Sequence, residues 1–572
     1  MNSRALSMAG LAAAILTLAA GVDLVAQGAA SLTGVATSQA EGKMEGVVVT
    51  ARRDGANFDV SVVTNGQGQY TFPSTHLAPG DYAVTIRAVG YELGARVRAT
   101  VAEGETATAD LALAPAADMS RQLTSTEWAM NLPGSAADKD KMMIQAASCM
   151  YCHNVERIVR STYTAAQFPA VITRMQKYYL DGSAYGFEGR GRYSLETPAA
   201  QARAETNPNW GYWPELSKVD LGRYLATINQ NGYGKNLPAT FKTLPRPKGV
   251  ETKVIITQYD MPRKSTVAHD GDIDPEGNYF WYTDQSALFI GRLDTTTGTF
   301  KEWAVPPTMK RPAGVSDIVI DPEGFVWFPA TSDLANSTFG VIMRFDPKTE
   351  TFEPVKNMPE DANTQFLALD GNGKLWSGFG PWYRIDRKTN TFEEAIDIRK
   401  APNRPPDATG GGYQVEVDSR GNPVLTDFTG GYVAKLDAAN NEFKFIKVPT
   451  KDGMPRRGRV DKEDRFWFSL YRGDKIAMLD MKTDTLREYP MPYKYFAPYT
   501  VSNPDARGRV FAPSNGSDRL ARVDIETGET IAYLMPVRDF DTKKVAVDPR
   551  DGKTVWFANK RNARVVKVEQ LD

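Results

Sequence analysis

Residues 149–153 read CMYCH: Cys149 and Cys152 are the only cysteines in 572 residues, and His153 is one of three histidines. Two thiols at i and i+3 share one side of a helical turn. There both can add to the vinyl groups of one porphyrin, while the adjacent imidazole reaches the iron; C-x-x-C-H is the attachment pattern of c-type haem. Three other uses of paired thiols fit less well. A dithiol redox centre needs a surrounding βαβ pattern, which this stretch lacks. A tetrahedral zinc needs a fourth ligand, and no other Cys or His lies between His76 and His269. A plain disulfide leaves His153 without a purpose. The residues therefore predict one covalent haem c on Cys149 and Cys152, with His153 as the proximal ligand. Met175, the only methionine between Met150 and Met261, is the candidate distal ligand. A five-coordinate iron, Lys177 or a more remote group remain as alternatives, and Phe168, Ile172 and Met175 also read as the buried stripe of an amphipathic helix.

The elements that position such a group are visible on both sides. Asp138 to Ala147 lacks Gly and Pro and can form the helix that leads into Cys149. Downstream, KVDLGRYLATIN (Lys218 to Asn229) places Val219, Leu221, Tyr224, Leu225 and Ile228 at helical spacing, which predicts an apolar face. Over residues 130–232 this arrangement resembles the paired N- and C-terminal helices of class I cytochromes c, and it implies an α-helical haem domain over 120–245. His153 and Met175 are 22 residues apart, which is short for that class.

Composition limits the rest. A formal charge of −1, from 68 basic and 69 acidic residues spread along the chain, leaves no electrostatic footprint for nucleic acid. Residues 1–30 read as a signal peptide: Arg4, then the apolar run Leu11 to Ala20, then small residues at Ala26, Ala29 and Ala30. The apolar run is short for a bilayer span. The expectation is an exported, periplasmic chain with no transmembrane segment after signal cleavage.

Residues 45–115 alternate apolar and polar positions in short runs separated by turns, which predicts a small β-sandwich. The order VVTNGQGQYTFP, then LAPGDYAVTIRAVGY, is similar to the carboxypeptidase regulatory-like module. That resemblance implies a transthyretin-like fold of seven strands and no catalysis. His76 falls in a loop here and reads as a solvated histidine.

From 251 to 572 one pattern recurs. Its turn aspartates fall at 274, 321, 370, 418, 461, 505 and 548, separated by 47, 49, 48, 43, 44 and 43 residues. That period suits one four-stranded blade per repeat, and hence a seven-bladed β-propeller. The segment KVIITQYDMP, residues 253 to 262, carries the fourth-strand pattern and is expected to complete the seventh blade. The aspartates read as turn formers rather than as metal ligands. The D-x-x-G-x-x-W-F repeat resembles the virginiamycin B lyase (streptogramin lyase) family, whose members open a cyclic lactone by elimination, using histidines, a glutamate and magnesium. The family's histidine position, five before each aspartate, is here His269, Ser316, Gln365, Tyr413, Arg456, Thr500 and Lys543, so one of seven is histidine. Elimination of that kind lacks its groups. The ring of polar residues predicts a polar funnel, with His269, Tyr413 and Arg456 as candidate substrate-binding or catalytic residues.

The whole reads as a multidomain, mainly β protein: a small transthyretin-like β-sandwich, an α-helical cytochrome c domain and a seven-bladed β-propeller. The expected function is periplasmic electron transfer, with a redox partner protein or small-molecule substrate at the propeller face. The alternatives are a lyase or hydrolase acting on a cyclic or lactone substrate, and a non-catalytic binding scaffold.

Overall fold

The computed structural model describes residues 30–135, 139, 153–180, 206, 217–230, 241–306, 314–331, 340–360, 362, 364–378, 381–409 and 412–572. Residues 30–115 form a two-sheet sandwich. In one sheet, Ala30–Ser38 lies between Gly42–Lys43 and Leu111–Pro115 and also pairs with Gln69–Pro73 and Ala107–Thr108; Leu111–Pro115 is followed by Tyr91–Leu93. The other runs Phe58–Val63, Val48–Arg53, Gly80–Arg87, Val97–Val101. The sandwich thus starts at residue 30 and not at 45, and it contains ten short strands rather than seven. Its first strand gives a faint period-2 signal because Gly34 and Ala36 occupy inward positions. Gly34 is obligatory there, since an added Cβ would stand 2.0 Å from the Ala109 carbonyl oxygen.

From residue 268 onward, successive antiparallel sheets follow the repeat. The inner strand of blade 1 is Ala268–Ile273, and the corresponding strands of blades 3, 4 and 5 are Phe366–Leu369, Gly412–Val417 and Pro455–Val460. Blade 2 has a broken inner strand, Gly314–Val315 and Val319–Ile320. Blade 6 has three strands, and its inner edge is the segment at Tyr499 to Ser502, bonded to Pro513 and Phe511. Blade 7 is closed as expected: Val254–Asp260 pairs antiparallel with Arg564–Gln570.

Seven apolar cores close this ring. Blades 1 and 2 share Trp281 and Phe345; blades 2 and 3, Trp327 and Tyr383; blades 3 and 4, Trp376 and Leu425. Blades 4 and 5 share Val433 and Phe468; blades 5 and 6, Trp467 and Val523; blades 6 and 7, Phe511 and Val566; blades 7 and 1, Trp556 and Phe280. Each sheet therefore buries both faces against its neighbours, the arrangement of a propeller. The turn aspartates hold the repeat together. Asp461 accepts the backbone N–H groups of Glu463 and Arg465, each at 3.0 Å, and the Trp467 indole N–H at 2.8 Å. Asp321 and Asp548 bind Trp327 and Trp556 in the same way. The motif is thus a turn that also satisfies a buried indole.

The sandwich and the propeller share one sheet. Phe58–Val63 pairs antiparallel with Val254–Asp260, so blade 7 continues into the sandwich as eight hydrogen-bonded strands. Side chains reinforce the seam: Arg564 bonds Asp59 at 3.2 Å and Asp260 at 2.9 Å, and His76 Nε2 lies 3.0 Å from Glu569. His76 is accordingly an interface residue and not a solvated loop histidine, because the loop that carries it folds back against the last strand of blade 7.

Between sandwich and propeller the chain is helical: Ser125–Asn131, Glu156–Val159, Phe168–Leu180 and Lys218–Gln230. The first helix starts on a capping box, in which the Thr124 hydroxyl accepts the Glu127 N–H and the Glu127 carboxylate accepts the Thr124 N–H. Leu221, Leu225 and Ile228 pack with Trp128, Val159, Phe168 and Ile172, and Tyr224 packs at the edge of this core. Val219 departs from the expectation: it is 48% exposed. Two residues turn an α-helix by about 200°, so Val219 faces away from Leu221. No helix among the described residues is long and apolar enough to cross a membrane.

Candidate functional site

The helical core does not end at the helices. Met454, Tyr471, Tyr495, Ala497 and Tyr499 of blades 5 and 6 belong to the same apolar cluster, and Thr126 donates from its hydroxyl to the Tyr495 carbonyl at 2.8 Å. The helices are therefore docked on the propeller face that carries the predicted ring of polar residues.

That ring is not a solvated funnel. His269 is 1% exposed and Arg456 6%, and Ser316, Thr500 and Lys543 are buried as well. Gln365 and Tyr413 are half-buried. The structure joins Tyr413 and Arg456: the guanidinium donates to the Tyr413 hydroxyl at 2.7 Å and lies over four rings, Tyr413, Phe428, Tyr471 and Tyr499, at 4.8, 5.0, 4.4 and 3.9 Å from their centroids. The Tyr413 and Tyr499 hydroxyls are 2.9 Å apart, and Lys543 Nζ stands 3.9 Å from the Tyr499 centroid. Stacking on aromatic faces stabilises the desolvated guanidinium, while the buried Lys543 ammonium is paired with Asp541 at 2.6 Å.

His269 belongs to a different group. Its Nδ1 lies 2.8 Å from Asp270 Oδ2, and Asp270 Oδ1 accepts from Arg457 at 2.7 Å. Nδ1 therefore donates and Nε2 carries the lone pair; among the described residues Nε2 is buried with no hydrogen-bond partner. Burial pulls the imidazole down to about 4 against the pull of Asp270, so it is neutral near pH 7. Burial raises the Asp270 carboxyl, but Arg457 and then His269 more than offset this, and it ends below its usual range.

Behind this layer a charged network fills the axis. Arg457 reaches Asp270 and, at 3.6 Å, Asp317; Lys544 pairs with Asp272 at 2.9 Å and Asp317 at 3.2 Å; Arg459 pairs with Asp272 at 2.8 Å and Glu416 at 3.6 Å. Sequence reasoning missed these residues. Their partners stand in different blades, as with Asp270 and Arg457, 187 positions apart.

The haem motif is placed in part. Cys149, Cys152 and the expected helix Asp138–Ala147 lie outside the described residues, apart from Lys139. His153 is described. Its Nδ1 lies 2.9 Å from the Asn154 carbonyl oxygen, an atom that can only accept, so Nδ1 carries the proton. Burial lowers the imidazole's pKa, the Asn154 bond opposing. A neutral ring with Nδ1–H held by a carbonyl and the lone pair on Nε2 is the form that ligates iron, so His153 fits the group its motif implies. Met175 packs half-buried at the edge of the helical core, beside the buried Phe168 and Ile172 of its own helix. The Lys177 side chain lies outside the described residues. Among the described residues no group of three or more His, Cys, Asp or Glu is arranged to hold a metal ion.

Comparison with known proteins matches one of these modules to a family model. Residues 31–114 match the carboxypeptidase regulatory-like domain. Among solved structures, virginiamycin B lyase from Staphylococcus aureus is 17% identical, with a TM-score of 0.45 over 55% of this chain and 99% of that one. A streptogramin B lyase is 16% identical, with a TM-score of 0.47 over 56% of this chain and 100% of that one. The WD40 repeats of RRP9 are 11% identical, with a TM-score of 0.42 over 53% and 94%. A search of curated protein sequences found no match.

Proposed function

We propose that the chain is an exported c-type haem protein of periplasmic electron transfer, in which one haem is bound by Cys149, Cys152 and His153. The propeller face receives a small-molecule substrate or a redox partner protein. A haem held by these residues would supply one-electron chemistry between ferric and ferrous iron. The observation that carries this reading is His153, the only histidine of the helical segment. It follows Cys152 directly in the sequence, and its Nδ1–H is held by the Asn154 carbonyl. Met175 is the proposed distal ligand. The helical core covers part of the propeller face, where Met454, Tyr471, Tyr495, Ala497 and Tyr499 pack against it, so the substrate or partner is received on the part the helices leave uncovered.

A pyridine haemochrome spectrum tests the proposal, taken on protein exported by a host that matures haem c. A c-type spectrum lost in Cys149→Ala, Cys152→Ala supports it, and an apoprotein in the wild type overturns it. A second reading, an acid–base site on the propeller, is favoured by His269 Nε2, which has no hydrogen-bond partner among the described residues. Turnover of a lactone substrate abolished by His269→Ala would support that reading, and activity surviving the change would sink it.

A further inference from the structure

The loop after the last strand of blade 6 is bonded to all three parts of the molecule. Arg87 of the sandwich donates to the Met535 and Val537 carbonyls at 2.7 and 2.5 Å, and pairs with Asp518 at 2.7 Å. Asp518 in turn accepts the Phe540 N–H at 2.9 Å. Within the loop, Asp539 has φ of 58°, a left-handed conformation unusual for a residue with a side chain. The Asn562 amide donates to the Arg538 carbonyl at 3.0 Å and helps to hold it there.

The outer side of this loop grips the segment around His153. Asn154 Nδ2 donates to Asp539 Oδ1 at 3.0 Å, and Arg538 pairs with Glu156 at 2.7 Å. Asn154 is buried, and its other amide atom, Oδ1, accepts the Glu156 N–H at 2.9 Å. Its carbonyl is the group that takes the His153 Nδ1 proton. The side chain that Asp539 holds therefore belongs to the residue whose backbone orients the imidazole.

Resting on the haem reading above, we propose that Asp539 is the positioning residue of the proximal ligand. Through Asn154 it fixes the plane of the His153 ring against the haem iron, and so couples the propeller loop to the haem's redox balance. The partners of ligating histidines tune the ligand's basicity and the metal's potential, and here that partner is itself anchored by another module. Asp539 also places a negative charge near His153. The variants Asp539→Ala and Asp539→Asn separate the two effects: both remove the charge, but Asp539→Asn keeps a side-chain oxygen that can accept from Asn154.

The experiment uses the full-length holoprotein, with haem content checked by haemochrome spectrum and folding by circular dichroism. Two readouts follow: the ratio of reduced to oxidised haem at a fixed ambient potential, and the hyperfine-shifted haem methyl resonances of the ferric form, which report ligand-plane orientation. Both variants should raise the reduced fraction, because loss of a negative charge disfavours ferric iron. Only Asp539→Ala should move the methyl pattern and add a further several-fold change in the ratio. Equal methyl patterns in wild type and both variants would overturn the proposal, as would equal displacement in the two variants. A wild type without covalent haem would instead overturn the haem reading, before Asp539 is reached.

Discussion

Asp461 illustrates what a single turn residue contributes. It accepts two backbone N–H groups, the Arg465 Nε–H at 2.7 Å and a buried indole, whereas Asp274 in blade 1 accepts the Tyr279 N–H at 3.1 Å and has Phe280 where the indole would come. Leaving a buried donor unmet costs about 1–3 kcal/mol. Asp461→Ala should therefore lower unfolding free energy by about 3 kcal/mol and Asp274→Ala by about 1, read from denaturant midpoints. Two further residues set the response to acid. His269 falls from 6.5 to about 4 on burial, so between those values the unfolded chain binds the proton first and stability drops as pH falls. Asp474 rises from 3.8 to about 6 by burial, so the folded chain binds the proton first and stability drops as pH rises. Each gap corresponds to about 3 kcal/mol. In the wild type the two largely cancel between pH 4 and 6. His269→Gln should make melting temperature fall with rising pH across that window, and Asp474→Asn should make it rise; equal slopes in the two variants would contradict these assignments.

At the scale of elements, helix Lys218–Gln230 shows how far a pattern can be read. Its existence and its buried positions Leu221, Leu225 and Ile228 follow from spacing, and Val219 does not belong with them, since it stands about 200° around the helix from Leu221 and is exposed. Leu225→Ala should cost about 2–4 kcal/mol, and Val219→Ala less than about 0.5, in the same denaturation assay. The blades were legible because the turn motif occurs seven times at separations of 43 to 49 residues, and the inner strand of blade 6 was not, because its copy is degenerate. The C-x-x-C-H run is a contiguous signal that the sequence alone displays, and its two cysteines lie outside the described residues. The aromatic surround of Arg456 and the Arg457–Asp270 pair were not, since they form only when separate blades meet at the axis. The same holds for Asp539 and Asn154, 385 positions apart.

For the molecule as a whole, the shared eight-stranded sheet makes the sandwich structural to the propeller rather than appended to it. Calorimetry should show no separate sandwich transition. A chain shortened to begin after residue 115 leaves Val254–Asp260 as a bare sheet edge, and sedimentation should show it to associate. Ring closure also joins distant positions: Asp260 pairs with Arg564, and 564 − 260 = 304. Contacts at such separation form slowly, because chain entropy is lost before they reward it. Phe58–Val63 reaches the other side of the same edge strand and precedes it in the chain, so it can dock long before Arg564–Gln570. The sandwich then serves as a template that keeps the open ring from meeting other chains, an intramolecular chaperone for the seventh blade. Pulse-labelled hydrogen exchange should find the amides of 58–63 and 254–260 protected before those of 564–570.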